Sequence, residues 1–284
     1  MKKTQFTTTL ILTLLLSSAI AAAQSTTEVR NLSGFTEVAF GVAGNLNIRI
    51  GSEFKVTLEG DNDILEETVT EVSNDRLVIK RKDNRPAFRL FNNSSSLNNK
   101  RVIVNITMPA ISGLSVSGSG RAEVIDSFTA GSLNLSVSGS GQLKLNNVSG
   151  EDIDCRISGS GRIVAADIKA RSLNLATTGS GRIALNDVSC ENLNSSITGS
   201  GSVVIEGKGS IGSEKINISG SGRFSGESVP AETANISVTG SGRCSINVTN
   251  SLEARTAGSG NITYLGNPQK IDTRATGSGK ISSR

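Results

Sequence analysis

From Leu114 onward, hydrophobic and polar positions alternate in blocks that return every 18 to 21 residues, in step with a Gly-Ser-Gly tripeptide starting at Gly118, Gly139, Gly159, Gly179, Gly199, Gly220, Gly240, Gly258 and Gly277. Two residues before the first glycine stand Val116, Val137, Ile157, Ile197, Ile218 and Val238. Four before stand Leu114, Leu135, Cys155, Leu175, Ile216 and Ile236, and six before, Leu133, Ile153, Leu173, Leu193, Leu252 and Ile271. Between these columns lie Ser, Thr, Asn, Asp and Arg. An apolar period of two marks a strand with one face inward. A shorter alternation follows the glycines, with Ala122, Leu143, Ile163, Ile183, Val203, Phe224, Cys244 and Ile262 inward. No window carries an apolar 3.6 period, so helices are excluded.

A constant period of about 20 residues is the mark of a solenoid. The pattern predicts an all-β fold, a single-stranded, right-handed parallel β-helix in which each lap is one rung and identical strands stack about 4.8 Å apart. The glycines fit corners, where backbone angles exclude a Cβ and neighbouring rungs leave no room for one. The serines between them are expected to hydrogen-bond from rung to rung. Polar pairs such as Asn146-Asn147, Ala166-Asp167 and Asn186-Asp187 predict a further turn in each lap.

Upstream, Phe35 to Phe40, Leu46 to Ile50, Phe54 to Glu59, Arg76 to Lys80 and Arg101 to Thr107 read as strands without the tripeptide. Asn92 to Asn99 reads as a loop. The division predicted is residues 1–23 as a signal peptide, 24–108 as an N-terminal β region of cap or degenerate rungs, and 109–284 as the repeats. The signal is read from Lys2 and Lys3, the apolar Leu10 to Leu16, and Ala21-Ala22-Ala23 at the cut. It places the mature chain outside the cytoplasm, in the periplasm, on the outer surface or beyond the cell. No Cys near the cut offers a lipoprotein acceptor, and no later stretch approaches the roughly 20 apolar residues of a membrane span.

Composition narrows the chemistry. The chain has 31 Gly, no Trp, one Tyr and no His, too few large side chains for an ordinary globular core. A formal charge of +4, two units of it from Lys2 and Lys3, gives no argument for nucleic acid or a membrane surface. Cys155, Cys190 and Cys244 are an odd count with no disulfide spacing, and they read as free or buried thiols. No cofactor or metal motif is present.

Two segments and the laps carry a resemblance. Arg30-Asn31-Leu32-Ser33-Gly34-Phe35-Thr36-Glu37-Val38, Gly44-Asn45-Leu46-Asn47-Ile48-Arg49-Ile50-Gly51 and the Ser-Val-Ser-Gly-Ser-Gly repeats resemble the autotransporter adhesin family with the head GIN domain, DUF2807. The resemblance covers nearly all of the mature chain. It implies an adhesin-like surface β-helix of Gram-negative bacteria of the Bacteroidetes type, with no catalytic residues.

The position after each Gly-Ser-Gly places Arg121, Arg162, Arg182, Arg223, Arg243 and Lys280 in one column, with Gln142, Ser202 and Asn261 between them. A basic ladder of this kind fits an acidic polysaccharide, a lipopolysaccharide or another cell-surface component, through guanidinium forks on carboxylate or phosphate. It equally fits a solubilising edge, with the carboxylate column five residues before the glycine neutralising its field. A polysaccharide-cleaving enzyme would need carboxylate pairs, and Asp126, Asp167 and Asp187 share a column. That column also holds Asn147 and Gly207, as a turn does, and no general-base His exists. The row from Ser117 to Thr276 is one residue wide, too narrow for an ice-binding array. At the last rung, Ala254, Ala257, Thr273 and Ala275 make a thin core end, open to pairing with a second chain unless Lys280 and Arg284 blunt it.

Overall fold

The computed structural model describes residues 26–82 and 101–284; the signal segment and the Asn92–Asn99 loop lie outside the described residues. Their strands form one sheet wound into a β-solenoid. From Phe128 on, every strand pairs in parallel with the copy one lap away, Gly on Gly: Gly139 faces Gly159, Gly159 faces Gly179 and Gly179 faces Gly199. Gln142–Gly159, Arg162–Gly179 and Arg182–Gly199 each run unbroken from one tripeptide to the next. The turn expected at Asn146-Asn147 therefore does not end a strand. Pairing skips only Asn146 and Glu151, because an isolated unpaired residue lets the chain bend while the ladder continues.

The upstream strands extend the same stack. Glu37–Phe40 lies parallel to Gly113–Gly118, and Gly44–Ile50 parallel to Arg121–Val124. One lap further, Arg76–Arg81 and Val102–Met108 pair with those two in turn. Lys55–Gly60 runs antiparallel to Val102–Met108, Thr26–Arg30 runs antiparallel to Lys55–Gly60 outside it, and Thr68–Ser73 forms a hairpin with Arg76–Arg81. The short helix Asn62–Glu67, with Ile64 and Leu65 buried, is absent from the sequence reading. Six residues are too few to show a helical period.

The tripeptide solves two separate problems. The first glycine takes φ between 80° and 116° in all nine copies, a region L side chains resist. The second has no such φ; at Gly181 a Cβ would lie 2.4 Å from Cγ2 of Ile157, a core side chain of the previous rung. The serine between them bonds through its backbone: Ser160 N–H donates to the Gly139 carbonyl at 2.8 Å, and Ser180 N–H to that of Gly159 at 2.9 Å. The expected hydroxyl ladder does not form, since these side chains point to solvent.

One continuous core runs from Phe35 to Ile262, built mainly of Leu, Ile and Val. Cys155, Cys190 and Cys244 are buried and free. Burial pushes the thiols of Cys155 and Cys190 up to about 12, so they pack as inert small apolar groups. Ala257, counted among the core residues, faces out, and Thr256 occupies the inward position beside it. Thr273, Ala275 and Ile271 are exposed in the last rung, Ile271 to 53%.

A charged residue also sits in the core. Glu214 stacks between Leu193 and Ala234 in the column six before the glycine and is 3% exposed. Its Oε1 reaches toward Gly226, where a Cβ would stand 3.8 Å away. Burial raises its carboxyl from 4.5 to about 8.

Two measurements check this account. Gly181→Val is expected to lower the melting temperature far more than Ser180→Ala, and equal shifts would contradict the steric role of Gly181. Glu214 is neutral in both folded and unfolded chains below about pH 4.5; between there and pH 8 the unfolded chain ionises first. Stability therefore falls as pH rises across that window, by on the order of 5 kcal/mol. Glu214→Gln should match the parent at pH 4.5 and exceed it at pH 8 in denaturant midpoint; a pH-independent difference would rule this out.

Candidate functional site

The first residue after each tripeptide begins a strand whose next residue points inward, so it must point outward. Arg162, Arg182, Arg223 and Arg243 precede Ile163, Ile183, Phe224 and Cys244, all buried. Their backbones are pinned to the rung below: Arg162 N–H to Gly141 O at 2.9 Å, Arg182 N–H to Gly161 O at 3.0 Å, Arg223 N–H to Gly201 O at 3.0 Å and Arg243 N–H to Gly222 O at 2.9 Å. The register places Arg121, Gln142, Arg162, Arg182 and Ser202 in one file. Arg223, Arg243, Asn261 and Lys280 continue it. At one rung per about 4.8 Å the file is about 38 Å long.

The five ladder arginines and Lys280 are exposed, and among the described residues none of these side chains forms an ion pair or a hydrogen bond. Most arginines elsewhere behave differently, Arg274 being an exception. Arg156 pairs with Asp154 at 2.9 Å, Arg171 with Asp152 at 2.9 Å, Arg76 with Glu37 at 2.6 Å, and Arg255 with Glu253. The carboxylates expected to neutralise the ladder are thus committed to arginines of their own face. Strand alternation explains this: Asp154 and Arg156, or Glu253 and Arg255, are two apart and share a face, with the corner between them and the ladder. Arg162 beside Arg182, and Arg223 beside Arg243, place like charges one rung apart, costing about 1 kcal/mol per pair in water-like surroundings.

The aspartate column has other work. Asp167 and Asp187 face each other on adjacent rungs. Asp187 Oδ1 accepts from Lys208 N–H at 2.8 Å and from Asn186 Nδ2 at 3.1 Å, while Asp167 lies 3.7 Å from Lys169 Nζ. Asp126 accepts from Ile50 N–H at 3.0 Å. Each carboxylate holds backbone or a neighbouring cation at a bend. No group of three or more Cys, Asp or Glu among the described residues is arranged to hold a metal ion.

Sequence reasoning did not see a shallow trough of about 500 Å³ on the face before the tripeptide, bounded by Asp154, Arg156, Lys215 and Asn217, with Asn174 bonded to Asn194 at 3.1 Å on its floor. The recurrence of Asn at positions 134, 174, 194 and 235, five before each glycine, was the available signal.

The model of one protein family matches residues 34–204 and 157–268, that is, most of the chain; the family is described as "Putative auto-transporter adhesin, head GIN domain" (DUF2807). The chain belongs to this family. Among solved structures, a "putative adhesin" from Parabacteroides merdae is similar over 92% of this chain and 96% of its own, with 18% identity and a TM-score of 0.72. A "putative lipid binding protein" from Parabacteroides distasonis matches with 22% identity, the same coverages and a TM-score of 0.68. A "putative adhesin" from the same species has 19% identity over 92% and 98% of the two chains, with a TM-score of 0.65. At these identities the likeness is one of fold. No curated protein matches the chain. The DUF2807 chain described here contains no helix, among its described residues, long and apolar enough to cross a membrane.

Proposed function

We propose that this chain is an exported, adhesin-like binding protein without catalysis, and that it holds an acidic cell-surface or matrix polysaccharide along the ladder of Arg121, Arg162, Arg182, Arg223, Arg243 and Lys280. The observation that carries the reading is that these cations lack acidic partners while most arginines on other faces have them. A guanidinium left unpaired keeps both edges of its fork for a carboxylate or phosphate. Five such groups and the Lys280 ammonium in file along one support add weak contacts into useful affinity without any single deep pocket.

The adhesin names in the family and among the fold relatives support a binding role. Against polysaccharide cleavage stands the aspartate column, whose members are bound to backbone and lysine where free carboxylates would be needed. The signal-like leader supports export, which brings the ladder to where such polymers occur.

Replacing Arg162, Arg182, Arg223 and Arg243 together by Gln is expected to reduce binding to immobilised polygalacturonate more than about tenfold at low salt, with the melting temperature almost unchanged. Binding of undiminished strength in that variant would remove the ladder from the function.

A further inference from the structure

The ladder is not uniform. Counting rungs from Arg121, the basic residues occupy the first, third, fourth, sixth, seventh and ninth places, and the neutral ones, Gln142, Ser202 and Asn261, the second, fifth and eighth. From Arg121 to Lys280 neutral steps thus recur every third rung, about 14 Å apart, with a pair of cations between them, and the neutral Asn45 beside Arg121 ends the order. A merely solubilising edge has no reason to keep this order, because solubility depends on the number of charges and not on their sequence.

The surface follows the same spacing. A depression of about 340 Å³ opens between Arg182 and Arg223, the neighbours of Ser202 in the file, and is lined also by Val204, Glu206 and Glu227. A second, of about 360 Å³, lies beside Gln142 and Arg121, three rungs away. Beside both, one ladder position carries no cation, and carboxylates line the depression, Glu206 and Glu227 in the first and Glu123 in the second, which disfavours an anionic sugar there. The cations stand at the rims of these depressions, so charge and space alternate along the axis.

Resting on the ladder as the binding site, we infer that its ligand is a linear acidic polysaccharide lying parallel to the solenoid axis, with a three-unit repeat of two anionic sugars and one neutral sugar. The anionic sugars meet the arginine pairs Arg162/Arg182 and Arg223/Arg243. The neutral sugar enters the depression between Arg182 and Arg223, and the next one along enters that beside Gln142. A stretch of single-stranded nucleic acid does not fit this order, because every nucleotide carries a phosphate and no neutral unit recurs.

The spacing is tested with Ser202→Arg. It adds a positive charge to the ladder but removes the neutral step beside the depression. Under a purely electrostatic ladder, affinity for any polyanion rises. Under the spacing inferred here, affinity for a galacturonate nonamer methyl-esterified at every third sugar falls about tenfold, one charge-assisted contact's worth or its steric equivalent. A charge-conserving pair, Ser202→Arg with Arg223→Ser, should give the same loss for that nonamer and no loss for the fully acidic nonamer. In the parent, the nonamer esterified at every third sugar should outbind the one esterified at every second. Melting curves of both variants show whether the fold is intact, as expected for exchanges at exposed positions.

Equal affinity of the two esterified nonamers, or tighter binding by Ser202→Arg, overturns the three-unit repeat; the ladder then remains the binding site if the fourfold Gln variant has lost polygalacturonate. Failure of every nonamer to bind the parent, or stronger binding of single-stranded DNA than of any nonamer, overturns the inferred ligand class as well.

Discussion

The structure depends on how closely two rungs approach at the corner. There the carbonyl of one first glycine accepts the serine N–H of the next rung at 2.8 to 2.9 Å, copy after copy. A Cβ on that next rung's first glycine would lie 2.5 to 2.8 Å from the same carbonyl oxygen. The corner bond and a side chain at the corner therefore exclude each other. Since each rung reads its position from the one before, the bond also fixes register, and a one-residue slip would turn every core side chain outward.

This close stacking sets what the interior tolerates. A narrow lumen is filled by Leu, Ile and Val, and larger residues need a neighbour to give way, as Gly226 does beside the ring of Phe224. Polar groups enter at a cost. The hydroxyls of Thr177 and Ser195 are buried without a partner, whereas Thr256, in the same column as Thr177, donates to the Gly260 carbonyl at 3.0 Å. Glu214 is the extreme case, held neutral by its surroundings near neutral pH. A stack of near-identical rungs bears such local losses because each rung contacts only its neighbours and the rest remains intact.

The same regularity makes the outside a ruler. Side chains at one position of the lap repeat at a fixed spacing, so a short sequence difference between rungs becomes a pattern along the axis. On the face before the corner the pattern is of matched charges and amides, Asp154 with Arg156 and Asn174 with Asn194. After the corner it is of unmatched arginines. A linear polymer carrying its own charge pattern is the kind of partner such a surface can distinguish, since many weak contacts succeed only when both spacings agree.

The sequence alone determined the repeat, the inward and outward columns and the file of basic residues, because strand alternation and parallel stacking turn positions relative to one glycine directly into positions in space. It also carried the family likeness. The tertiary structure decided three things that periodicity cannot hold. The two glycines of each corner differ in role, one by φ and one by contact with a core side chain from another rung. Glu214, a charged residue that pattern reading passes over, fills an apolar column because register forces it there. The acidic partners expected beside the ladder lie across the corner from it, since which side chains meet depends on the face each occupies and not on how near they stand in the chain.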